Sequence, residues 1–376
     1  MGWAHKKLMD VCILQRGFDL PKAQRKSGEF PLISSSGYID FHSVAKVKGP
    51  GVVTGRSGSI GQVFYIKEDF WPLNTTLYIK DFHGNDPRFV FYLLESFNLS
   101  RYTSGAGVPT LNRNHVHDEI VHVPVNVDEQ KRLVAILDEA FAGIEQARAK
   151  TEQNLKNARE LFESYLQQVF SQRGKGWVEK TLGEAVTVER GSSPRPIKNY
   201  QTDSVDGVNW VKIGDTKEGQ KYIEKTKEKI TRKGAEKSRF VDVGDFILSN
   251  SMSFGRPYIM ATQGYIHDGW FVLRLPENID TEYFYYLLSS PYLKDQFQSL
   301  AAGAIVKNIS GDLVKKAILP IPPTSVQKNI ALKLATLASE IERLEEIYNS
   351  KAKNIEELKQ SILQKAFSGE LAKNSF

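Results

Sequence analysis

Residues 130–171 and 327–368 align at a constant offset of 197 without a gap, and 14 of the 42 positions are identical. The identities include Gln130/Gln327, Lys131/Lys328, Leu137/Leu334, Ile144/Ile341, Asn157/Asn354, Leu161/Leu358, Leu166/Leu363, Phe170/Phe367 and Ser171/Ser368. An ungapped match of that length points to internal duplication, and its period makes the repeat a whole domain pair. Both segments carry apolar rows seven residues apart. In the second, Leu334, Ile341, Tyr348, Ile355 and Ile362 form one row, and Ile330, Leu337, Leu344, Lys351 and Leu358 the other. The first keeps a weaker version. Such rows predict coiled-coil helices, with Leu137, Ile144, Leu161, Leu334, Ile341, Leu344, Ile355 and Leu358 as the spacer-helix core. Asn154 and Lys351 interrupt the same row at the same repeat position. Neither helix can bury its stripe alone. Either the two pair as an antiparallel intramolecular coiled coil, with the globular parts at its two ends, or each packs on its own globular part.

The stretches before the helices also match, but with drifting offsets. Gly2-Trp3 and Arg16-Gly17 match Gly176-Trp177 and Arg190-Gly191 at 174. The segment from Asp86 to Leu94 matches that from Asp280 to Leu288 at 194, and Gly107 and Asn112 match Gly303 and Asn308 at 196. Loops have therefore changed length while a framework persists. The predicted fold is α+β: mixed α/β globular parts at 1–125 and 174–323 alternating with long helices at 126–173 and 324–376, in a pseudo-twofold duplication. Gly51–Thr54 with Val63–Ile66, and Phe246–Leu248 with Tyr258–Met260, read as strand pairs around Gly/Ser turns. Asp86-Pro87 reads as a helix cap followed by an N1 proline, and the prolines before Gln130 and Gln327 place the starts of the long helices.

No apolar run approaches the roughly 18 residues that span a bilayer, and the segment from Met1 to Lys6 lacks a signal peptide's apolar stretch. A single cysteine, Cys12, excludes an internal disulfide framework. The expectation is a cytoplasmic protein with no membrane contact. The net charge of +6 is concentrated: ten Lys/Arg against five Asp/Glu lie between Asn209 and Arg239. That excess suits a polyanion partner and equally a solvated surface.

Several loops combine glycine, small hydroxyl residues and arginine. The stretch from Gly55 to Gly61 has no Gly-Lys-Ser/Thr and so is not a nucleotide-binding P-loop. It suits phosphate positioning and base-edge contact, or a plain hairpin turn. Its counterpart in sequence runs from Ser249 to Arg256. A second pair of polar loops runs from Gly105 to Arg113 and from Ala302 to Asn308, and the stretch from Arg190 to Tyr200 is basic and stiffened by prolines. His115, His117 and His122 lie close together, and a strand would put the first two on one face, but no convincing ligand set accompanies them, so no metal is expected. Motifs of serine hydrolases, zinc proteases, adenine methyltransferases and metal-dependent nucleases are absent, which favours a protein without catalysis of its own.

The order of elements and their motifs resembles the specificity subunits of type I restriction–modification systems. The motifs are Pro31 to Ile39, Gly55 to Gly61, Trp71-Pro72-Leu73-Asn74-Thr75-Thr76, Gly107 to Asn112, Val208 to Asp215, Gly244 to Ser249, and Pro320-Ile321-Pro322-Pro323 before Gln327. The resemblance implies that 1–125 and 174–323 are target-recognition domains, each reading half of a bipartite site in double-stranded DNA. The helices would set the unread spacer between the halves. Partners would be two adenine-N6 methyltransferase subunits, with room for a translocating restriction endonuclease subunit. S-adenosylmethionine, ATP and Mg²⁺ would belong to those subunits and no cofactor to this chain. On this reading the DNA-binding candidates are Arg16, Arg56, Ser57, Asn74 and Arg113 in the first domain, and Arg190, Arg195, Lys198, Lys212, Asn250, Arg256 and Lys307 in the second. The competing readings are a coiled-coil adaptor that binds only proteins, and an enzyme with a degenerate nuclease or methyltransferase motif.

Overall fold

The computed structural model describes residues 2–104, 109–217, 219–250, 255–301 and 309–373. Two uninterrupted helices, Val127–Ser171 and Thr324–Phe367, follow the prolines as expected. The chain divides into two compact units, one of residues 1–152 with 349–376 and the other of 153–348, so each contains part of both long helices. No helix among the described residues is long and apolar enough to cross a membrane.

The first unit is built on a four-stranded antiparallel sheet, in the order Ile13–Arg16, Thr76–Asp81, Gly51–Gly55, Val63–Ile66. A smaller sheet of Gly37–His42, Phe30–Ser34 and Trp71–Pro72 lies beside it in the chain. In the second unit the corresponding order is Thr187–Arg190, Trp270–Arg274, Phe246–Ser249, Pro257–Met260. A fifth strand, Tyr222–Ile223, is added there in parallel. The predicted strand pairs are present, with Thr54 opposite Val63 and Phe246 opposite Ile259.

Each sheet is covered by an aromatic helix, Pro87–Glu95 or Thr281–Ser289. The caps Asp86 and Asp280 accept from the backbone N–H of Phe89 and Tyr283, each at 2.9 Å. These amides would otherwise be unpaired at the helix start. The repeated glutamines fasten the same caps to the long helices. Gln130 Oε1 accepts from Asp86 N at 2.9 Å, and its amide donates to Asn85 Oδ1 and Pro124 O. Gln327 Oε1 accepts from Asp280 N at 2.8 Å, and its amide donates to Asn278 O and Pro322 O. Both glutamines are buried.

Each unit thus holds the start of one long helix and the end of the other, which run antiparallel within it. In the first unit, Phe367 packs on Phe89 with ring centroids 5.6 Å apart, and Lys359 lies over the ring of Phe141. In the second, Phe170 packs on Tyr283 at 5.5 Å, and Arg159 bonds Glu345 at 2.6 Å. The helices bury themselves against each other and against the globular parts in one continuous core per unit.

The core differs from the sequence expectation along one row. Leu137, Ile144, Leu334 and Ile341 are buried, and Leu344 and Ile355 are half-buried. Leu161 and Leu358, placed in the core from their heptad spacing, are 63 % and 51 % exposed. The row that packs lies one residue later: Phe162, Lys359 and Ala366 are covered instead. A helix of 3.6 residues per turn drifts about 20° per heptad against a strict seven-residue repeat, so over four heptads the contact passes to the next residue.

Candidate nucleic-acid interface

The site is a junction made almost wholly by backbone. In the first unit Gly17 N donates to Thr76 O at 3.0 Å and Phe18 N to Pro72 O at 2.8 Å. A Cβ on Gly17 would overlap the carbonyl oxygens of Leu73 and Pro72, so only glycine allows this approach. In the second unit Gly191 N donates to Trp270 O at 2.8 Å and Ser192 N to Ile266 O at 3.3 Å, and a Cβ on Gly191 would overlap His267 O. The two junctions correspond bond for bond.

A loop crosses each junction. Arg56 N donates to Thr75 O at 2.9 Å, and Arg56 O accepts from Leu111 N at 2.8 Å. Ser57 N also donates to Thr75 O, and Ser57 forms a bridge with Thr110. The turn residue Ser35 donates its N–H to Thr75 Oγ1 at 3.3 Å. In the second unit the residue in Arg56's place is Asn250, whose N donates to Gly269 O at 3.0 Å and whose O accepts from Ile309 N at 3.3 Å.

The first junction brings together Arg16, Arg56, Ser57 and Asn74. Asp19 joins two of them, accepting from Arg16 Nη2 at 3.4 Å and from the Asn74 amide. Arg113 begins the short helix Arg113–His117, following Thr110–Leu111, and is exposed. The second junction gathers Arg190, Arg195 and Asn250 about Asp268. Asp268 accepts from Ser193 Oγ at 2.6 Å and from Arg195 Nη2 at 2.9 Å, and its backbone O accepts from Arg190 Nε and Asn250 Nδ2. The Ser193 hydroxyl, helped by the Arg195 charge, holds the Asp268 carboxyl below the usual carboxylate range, so it is ionised. Lys212 lines the same cleft of about 650 Å³, with Gln201, Trp210 and His267. Its ammonium is paired with Glu228 at 2.7 Å. Burial lowers the pKa of His267, which keeps the imidazole neutral. A separate hollow of about 710 Å³ beside Glu184 and Arg274 contains none of the residues chosen from the sequence.

Three expectations change. Asn250, expected as a DNA contact, is buried, and its amide supports the Asp268 turn. Arg256, the sequence counterpart of Arg56, stands at the far side of its loop, where its N–H donates to Ser249 Oγ. His115 and His117 lie on a helix instead of a strand face, and His117 Nε2 accepts from Leu14 N at 2.9 Å. Lys198 is exposed on the turn Ile197–Asn199. Lys307 lies outside the described residues, as do 105–108, 251–254 and the whole of 302–308. Among the described residues no group of His, Cys, Asp and Glu is arranged to hold a metal ion. Sequence reasoning missed Asp19, Ser193 and Asp268. The Asp268-Gly269 pair is a turn signal that marks the third of them.

The family model of the type I restriction modification DNA specificity domain matches twice, over residues 1–157 and 174–350. The specificity subunit of the type I restriction enzyme MjaVIII of Methanocaldococcus jannaschii is 23 % identical over 315 residues, covering 76 % of this chain and 70 % of that protein. Among solved structures, one chain comes from work on complex assembly and conformational transition of the type I R-M system. It matches with a TM-score of 0.77 and 19 % identity over 98 % of both chains. The HsdS subunit of Thermoanaerobacter tengcongensis matches with a TM-score of 0.59 and 19 % identity, over 98 % of this chain and 97 % of that one. At such identities these structures speak for the fold, and the two family matches carry the assignment. The chain belongs to the type I restriction–modification DNA specificity family, the non-catalytic component of those systems, with two target-recognition domains.

Proposed function

We propose that each junction reads one half of a bipartite duplex DNA target, within 1–125 and 174–323, and that the helical segments 126–173 and 324–376 set the unread length between the halves. The observation that carries this reading is the repeated backbone junction. It gathers Arg16, Arg56, Ser57 and Asn74 in one unit and Arg190, Arg195 and Lys212 in the other. Arginine and lysine there neutralise phosphates and supply affinity, while hydroxyl, amide and carboxylate groups meet base edges and supply specificity.

As a member of its family the chain binds DNA and acts together with other restriction–modification subunits. In our reading those are two adenine-N6 methyltransferase subunits, which bring S-adenosylmethionine and flip the target base. A translocating endonuclease, in systems that have one, brings ATP and Mg²⁺. The assembly works in the cytoplasm. The test is a genome-wide map of N6-methyladenine with and without this gene. Disappearance of one bipartite motif is the expected result; an unchanged map sinks the proposal.

A further inference from the structure

The two junctions share a backbone but not the position of their acid. Asp19 lies two residues after Gly17, and Ser193 two residues after Gly191. Asn74 follows Leu73, whose carbonyl crowds Gly17, and Asp268 follows His267, whose carbonyl crowds Gly191. Asp19 therefore corresponds to Ser193, and Asn74 to Asp268. Each unit contains the same cross-junction side-chain bond, Asp19 with Asn74 and Ser193 with Asp268. The carboxylate has changed sides.

A carboxylate in a surface that meets phosphates costs binding, because it adds like-charge repulsion to a polyanion. Both acids are nevertheless accessible, Asp19 with 66 % and Asp268 with 43 % of the side chain exposed, and each is held by an arginine, Arg16 or Arg195. An ionised carboxylate is an acceptor only. In the major groove, cytosine and adenine present an amino donor, at N4 and N6, whereas guanine and thymine present only acceptors at the corresponding edge. An acid at this position thus attracts two bases and repels the other two. In the second unit the acid faces a cleft whose wall also carries Gln201 and Lys212, both donating to Glu228, and Arg195, donating to Asp268; each keeps further N–H groups for the remaining acceptors of a base pair.

We propose that Asp268 in the second unit and Asp19 in the first are specificity-determining residues, each requiring an amino-bearing base, cytosine or adenine, on one given strand at one position of its half-site. The proposal rests on the DNA-reading function proposed above. Holding an arginine in place is the competing role for either acid, and the two roles separate by experiment. The full chain, assembled with its modification subunits, is used to select from a pool of duplex DNA with randomised target positions. Wild-type protein, Asp268→Asn and Asp19→Asn are compared. Asparagine keeps the shape and an acceptor for Ser193 but adds a donor, so guanine and thymine become acceptable.

The expected result for Asp268→Asn is that preference for cytosine or adenine on one strand, over guanine or thymine there, falls at least about five-fold at one position of one half-site, the scale of one lost base contact. Asp19→Asn should do the same at one position of the other half-site. Each variant thereby controls for the folding of the other. If both variants bind the whole pool more weakly but keep every base preference, the acids only position their arginines and the proposal is overturned. A wild-type assembly that enriches no bipartite motif would instead overturn the DNA-reading function and take this proposal with it.

Discussion

Arg56 and Asn250 occupy one and the same place in the two units: each donates its N–H across the junction, to Thr75 O or Gly269 O, and each accepts at its carbonyl, from Leu111 N or Ile309 N. Their side chains do opposite things. Asn250 is buried and bonds Asp268 O at 2.7 Å, whereas Arg56 is half-buried at the loop's edge.

Arg56→Ala and Asn250→Ala should therefore fail differently. On the proposed DNA-reading function, losing Arg56 removes a cation that meets phosphate. The plot of log affinity against log salt should become shallower by about one unit, with little change in unfolding. Losing the buried Asn250 amide removes its bond to Asp268 O, where Arg190 Nε still donates, and should cost about 0.5–1.5 kcal/mol in urea unfolding. Equal salt slopes for Arg56→Ala and wild type would remove Arg56 from the interface.

The paired glutamines should be equally costly to replace. Gln130→Leu and Gln327→Leu each strand a helix-cap amide and two groups that the side-chain amide now serves. A loss of about 2–4 kcal/mol is expected for either, since an unpaired buried polar group costs about 1–3 kcal/mol. Denaturant midpoints measure it. A loss below about 0.5 kcal/mol in both would show that the caps are held by the helices alone.

Glycine substitutions sort by the space around them. Gly17→Ala and Gly191→Ala force backbone apart at the junction and should abolish sequence-specific binding by the affected half. Gly143 stands inside a long helix with nothing near its missing Cβ. Gly143→Ala should raise stability by up to about 1 kcal/mol, through helix propensity. Thermal melts and mobility shifts on the same three variants check both statements.

The exposed leucines test the position of the seam. Leu161→Glu and Leu358→Glu should change the unfolding free energy of the chain by no more than about 0.5 kcal/mol. Leu137→Ala and Leu334→Ala, at sites with no exposed surface, should cost about 2–5 kcal/mol. A large loss from the glutamate variants would restore the seven-residue row as the true contact.

The parts of this fold legible in the sequence are those written in side chains. Gap-free heptads announced both helices, and Asp86-Pro87 announced a capped start. The identity Gln130/Gln327 was visible too, though not its role, because its partners are backbone groups of segments far along the chain. The junction was the least legible part. Its bonds run between carbonyls and amides that every residue carries, and it joins Asp19 to Asn74 across 55 positions. Composition pairs Arg256 with Arg56, whereas strand register gives that place to Asn250: Gly55 lies opposite Thr76, and Ser249 opposite Trp270.

A junction held by main-chain bonds has a further consequence for inheritance. Every residue has a carbonyl and every residue but proline an amide N–H, so an exposed side chain displayed there can be exchanged without moving the stage on which it stands. Steric need fixes glycines there, Gly17 and Gly191 at the junctions and Gly55 just before the first loop. On the specificity proposal, new target words can arise by single substitutions at Asp19, Asn74, Ser193 or Asp268, each inherited without a refolding of its neighbours, and one ancestral half can come to spell something its twin does not.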